Sequence, residues 1–102
     1  MAINLKAITS CLGYQRISSL SSATALTVPN VDPVSGLNAK PTIALITPET
    51  QNVRWRDDGT DPTASVGMPI YVGTSLLYDG NLANLRFINM VAGGKVNVSY
   101  YA

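Results

Sequence analysis

Asn84-Leu85-Arg86-Phe87-Ile88-Asn89-Met90, then Val91-Ala92-Gly93-Gly94, then Lys95-Val96-Asn97-Val98-Ser99-Tyr100-Tyr101 is the stretch on which the fold class turns. Leu85 and Phe87 alternate with Arg86 and Ile88, and beyond the glycines Val96, Val98 and Tyr100 alternate with Asn97, Ser99 and Tyr101. A period of two is that of a pleated strand with one face in a core. Two such runs joined by a glycine turn predict a β-hairpin.

Working outward, residues 75–78 and 69–72 are short β-rich runs, and Asp79-Gly80 closes the first of them. In residues 52–56, Val53 and Trp55 share one face and Arg54 and Arg56 the other. Residues 42–47 are apolar on both faces, which predicts a central strand covered on both sides. Residues 23–28 alternate until Pro29 stops them, and Asp32-Pro33 with Ser35-Gly36 marks 29–41 as an exposed loop. Residues 14–20 read as loop or irregular strand. Residues 3–8 read as a short strand or extended arm, so that 1–22 forms an N-terminal arm to a single domain spanning 1–102. Short strands, frequent turns and no long amphipathic helix predict an all-β, single-domain antiparallel β-sandwich or small jelly-roll-like barrel.

The chain has 102 residues, enough for one core. Hydrophobic residues make up 46% and charged residues 13%, about half the usual charged share, so the surface is uncharged but hydrogen-bonding. Net charge is +1 and the seven cations are scattered, which gives no nucleic-acid footprint. No run of apolar residues reaches the length of a membrane helix, so no membrane partner is expected. Histidine is absent and Cys11 is the single cysteine, which removes Ser-His-Asp, Cys-His and zinc-cluster chemistry and any internal disulfide. Ile8-Thr9-Ser10-Cys11 has the form of a lipoprotein cleavage motif, but Lys6 interrupts the apolar run that such a signal needs. Cys11 is therefore read as a small buried hydrophobe.

Asp57-Asp58-Gly59-Thr60-Asp61 is the best candidate for metal or acid chemistry. It lacks the alternating ligands and terminal Glu of a calcium loop, and the plainer reading is a turn whose carboxylates cap amides and pair with Arg54 or Arg56. Glu49, the only Glu, sits beside Pro48 in an apparent turn and has no second carboxylate across a groove. No catalytic residue, metal or cofactor is expected. Trp55 is in phase with Val53 and assigned to the core, whereas Tyr101 and Tyr71 are the aromatic side chains expected at the surface.

Val53-Arg54-Trp55-Arg56-Asp57-Asp58-Gly59-Thr60-Asp61-Pro62-Thr63-Ala64-Ser65-Val66-Gly67-Met68-Pro69 resembles a segment that recurs in small virion proteins of tailed bacteriophages. In those proteins an arginine/aromatic strand enters a D-G-T-x-P-T loop. Leu85-Arg86-Phe87-Ile88 and Lys95-Val96-Asn97-Val98-Ser99-Tyr100-Tyr101 are similar to their closing strands, so the resemblance covers the chain from Val53 onward. It implies a non-enzymatic virion structural protein, most of all a capsid decoration (cement) protein. Neck, collar or tail-fibre-base components are the alternatives within the class, and a carbohydrate- or receptor-binding module is the alternative outside it.

The expected partners are further copies of the chain, as a trimer or other symmetric ring, and the major capsid protein or another virion protein. The expected location is the virion, after synthesis in the host bacterial cytoplasm. Arg54, Arg56, Asp57, Asp58, Asp61 and Tyr101 are the residues expected to order the loop or line an interface.

Overall fold

The computed structural model describes residues 10–102. Among them eight strands run in chain order as β1 (Cys11–Ile17), β2 (Thr24–Ala25), β3 (Ile43–Glu49), β4 (Val53–Arg56), β5 (Met68–Ile70), β6 (Leu76–Tyr78), β7 (Arg86–Asn89) and β8 (Lys95–Tyr101). One 3-10 turn, Leu82–Asn84, precedes β7. The strands make two four-stranded antiparallel sheets, β1-β8-β3-β6 and β2-β7-β4-β5. First pairs with last, second with second-last, third with sixth and fourth with fifth, as in one long hairpin. Rolling that hairpin into two layers gives a jelly roll, a β-sandwich in which most connections cross between sheets.

The hairpin expected between residues 84–90 and 95–101 is therefore not formed. β7 pairs with β2 and β4, whereas β8 pairs with β1 and β3 in the other sheet. Alternation fixes which face of a strand is apolar and says nothing about its neighbour. Here Phe87 enters the core from one sheet, and Val96, Val98 and Tyr100 enter it from the other. The glycines at 93 and 94 turn the chain across the roughly 10 Å between layers rather than back along one layer.

The core is Leu12, Ile17, Leu20, Ala44, Ile46, Val53, Ile70, Leu82, Leu85, Phe87, Val96, Val98 and Tyr100, with Trp55, Leu76 and Tyr78 packed on its margin. A fully buried side chain such as Phe87 contributes about 1.5–3 kcal/mol. The buried Tyr100 carries its hydroxyl to Gln15 Oε1, to which it donates at 2.7 Å, and the same oxygen accepts the Thr27 N–H at 3.0 Å.

Four expectations are corrected by this architecture. β3 is covered on one side only within the chain, with Ala44 and Ile46 buried and Ile43, Leu45 and Thr47 half-exposed, because a two-layer fold leaves each sheet a solvent face. The turn placed at Pro48 begins at Thr50, since β3 continues through Pro48 opposite Val96. β6 pairs only with Ala44–Ile46 of β3, so at Pro48 that side of the strand is an edge and tolerates a residue without an N–H. Cys11–Ile17 is a regular strand of the first sheet rather than part of an arm; Met1–Thr9, the run read as short strand or arm, lies outside the described residues. Cys11 is exposed rather than buried, because Leu12 takes the inward position and a bulge between Cys11 and Gly13 resets the alternation.

The register defines two ends. The loop end gathers the start of β1, the 29–41 loop, the 57–67 loop and residues 79–84. The opposite end carries the corners at Thr50 and at Gly93, joined by a hydrogen bond from Thr50 Oγ1 to the Gly93 carbonyl. β5 borders the second sheet, and Pro69 keeps its place there only with its nitrogen turned to the free side. Among the described residues no helix is long and apolar enough to cross a membrane.

Candidate interaction surface

β4 projects Arg54 and Arg56 from its outer face, but the two guanidinium groups do different work. Arg54 turns toward backbone: Nε donates to the Ala64 carbonyl at 3.1 Å and Nη1 to the Gly67 carbonyl at 2.9 Å. It thereby holds the far limb of the 57–67 loop against the strand. Arg56 makes a forked pair with Asp58, Nε to Oδ1 at 3.0 Å and Nη2 to Oδ2 at 2.5 Å. This bond, the larger cause, holds the Asp58 carboxyl below its usual range and raises the guanidinium.

Asp57 reaches the other sheet, where its Oδ2 accepts the Tyr78 hydroxyl at 2.6 Å. Burial, and secondarily this carboxylate, pushes the Tyr78 hydroxyl up to about 12. The Tyr78 ring meets Trp55 edge-on, with centroids 5.7 Å apart and planes at 73°. Gly67 fits because a Cβ there would stand 3.1 Å from the Cβ atoms of Arg54 and Pro62, at a backbone φ of +143°.

Asp61 joins neither arginine; it lines a small polar hollow with Gly59, Thr60, Asn84 and Arg86. Tyr101 lies on the other sheet, opposite Cys11 and Ile43, where its hydroxyl accepts from Ser99 Oγ at 3.1 Å. All six expected residues thus lie toward the loop end, but Tyr101 shares no hydrogen bond with the arginine and aspartate side chains of the 57–67 loop. Glu49 is held below the usual carboxylate range by the Asn97 amide and then by Arg16, so it stays ionised and is a poor proton donor. No group of three or more metal-ligating side chains occurs among the described residues.

Two exposed apolar features escaped the sequence. In the 29–41 loop, Asp32 Oδ1 accepts the Val34 and Ser35 N–H groups at 2.8 and 3.3 Å, and Asp32 N–H donates to the Leu37 carbonyl at 2.8 Å. A bridge between Val31 and Asn38 closes the loop below them. The result is a built hairpin tip that holds Val34 at 90% and Leu37 at 70% exposure. The second feature is the border at β5, where Val66, Met68 and Val72 join Tyr71, already expected at the surface, and all four are about half-exposed or more. Asp-Pro-Val-Ser-Gly identified the turn, but nothing in a single sequence tells an apolar side chain on a tip from one folded beneath it.

Among the carboxylates, Asp32, Asp57, Asp58, Asp61 and Asp79 lie at the loop end and only Glu49 lies at the other. Against Lys40, Arg54, Arg56 and Arg86 they leave the loop end one charge negative. Comparison of the chain with protein-family models, with curated proteins and with solved structures finds no match.

Proposed function

We propose that the protein is a non-enzymatic structural component of a bacteriophage virion, acting as a decoration protein that self-associates and binds a capsid lattice. The observation that carries this reading is the contrast between a rigid jelly roll and what covers it. Ten large apolar side chains are exposed among the described residues, on a chain only 13% charged. Such side chains on ordered loops and a sheet border suit protein contact. A bound decoration protein stabilises the shell because it favours the assembled state. The resemblance of residues 53–69 to small virion proteins selects this setting from other structural ones.

Cosedimentation with purified capsid shells tests the reading. The chain is expected to pellet with shells at a saturable stoichiometry, and Val34→Ser with Leu37→Ser to weaken that binding at least about tenfold with no change in the melting curve. Failure to bind shells, tails or neck complexes of any tailed phage overturns it. A second reading, a carbohydrate-binding module, is favoured by one observation: Trp55, Val66 and Met68 line an open hollow rimmed by Asp57 and Asp58. Saccharide binding abolished by Trp55→Ala supports that alternative.

A further inference from the structure

A groove of about 420 Å³ at the loop end runs between residues 28–30 and 40–42 on one side and 79–83 on the other. Val28, Pro29, Pro41 and Ala83 give it apolar walls, and Asp79 is the carboxylate on its rim. β1 enters the sandwich beside it. Ser10 exchanges backbone hydrogen bonds with Ala102 at 3.3 and 3.1 Å, while Thr42, a groove residue, donates to the neighbouring Tyr101 carbonyl at 2.9 Å.

Nine residues, Met-Ala-Ile-Asn-Leu-Lys-Ala-Ile-Thr, precede Ser10. Ile3, Leu5 and Ala7 recur at the spacing of one strand face, and Lys6 is the segment's only charged side chain. From Lys6 to Thr9 there is no Gly, Pro, Asn or Asp, the residues most favoured in tight turns. Nine extended residues span about 30 Å, enough to cross to a neighbour. The charged side chains lining the groove are Asp79 and Lys40, and Asp79 is the one whose charge suits Lys6.

We infer that residues 1–9 of one copy occupy this groove on a second copy, with Ile3 and Leu5 against Pro29, Pro41 and Ala83 and with Lys6 toward Asp79. The exchange is reciprocal in a pair of copies or passes head-to-tail around a ring, according to the rotation between copies. It rests on the self-association in the reading above and names the surface responsible.

The test uses the mass in solution of the full chain, of a chain starting at Ser10, and of Ala83→Arg, which places a cation in the groove at an exposed position. A full-chain oligomer is expected, with self-association weakened at least about tenfold in both variants and no change in melting. In a Cys11→Ser background, Ile3→Cys with Ala83→Cys is expected to oxidise into covalent dimers and larger species. An oligomer that persists without residues 1–9, or with Ala83→Arg, overturns the inference and leaves self-association standing. A disulfide formed within one chain also overturns it, because the segment then fills its own groove. A full chain that stays monomeric at every concentration overturns both.

Discussion

Gln15 is a single side chain serving two sheets' worth of structure: its amide oxygen accepts from the buried Tyr100 hydroxyl and from the Thr27 backbone. Gln15→Leu leaves both donors without a partner and is expected to cost about 1–3 kcal/mol, more than Tyr100→Phe, which removes donor and need together. Urea unfolding of the two variants checks the order. Tyr100 also sets an alkaline limit. Burial pushes its hydroxyl to about 12, as burial and Asp57 do for Tyr78, whereas an unfolded tyrosine ionises near 10. The folded state thus holds these protons more tightly, so the stability they confer is complete below pH 10 and is lost between about pH 10 and 12. Tyr100→Phe is expected to flatten that decline in unfolding curves taken across the interval. Asp58 and Glu49 act with the opposite sign: both are depressed, so what they contribute is present above the ordinary carboxylate range and fades in acid.

Among the elements, the 57–67 loop depends on its two arginines unequally. Arg54 binds main chain on the far limb and Arg56 a carboxylate on the near one. Arg54→Ala is expected to destabilise by about 1–2 kcal/mol and to raise amide exchange across residues 62–68. Arg56→Ala leaves that exchange close to the parent, since an exposed ion pair contributes little. Hydrogen-exchange mass spectrometry separates the two cases. The arginine face of β4 was legible because alternation over Val53-Arg54-Trp55-Arg56 leaves no other arrangement. Which arginine meets which aspartate was not, because that depends on how the loop folds back over the strand. Alternation likewise placed Phe87 and Val98 inward and gave β7 the wrong neighbour, since pairing is decided by the crossing between layers. Cys11 was misplaced for a smaller reason: a one-residue bulge between Cys11 and Gly13 shifts its phase against the rest of β1.

For the molecule as a whole, fold class was legible from strand spacing and turn residues, and the two-sheet winding was not. The loop end joins segments far apart in sequence, so its charge and its groove exist only after β1, β3, β4 and β6 have been brought together. The border at β5 has a consequence for how a partner docks there. Its side chains are apolar, yet the peptide nitrogen of Pro69 that faces water carries no hydrogen. A visiting extended segment finds oily surface but no donor with which to continue the ladder, so side-chain burial rather than strand addition governs contact at that flank. Pro69→Val is expected to restore the missing donor, and thioflavin fluorescence in concentrated solution should then rise where the parent protein stays dark. Proline at this one position is thus expected to act as a stop against fibril growth when many copies crowd together.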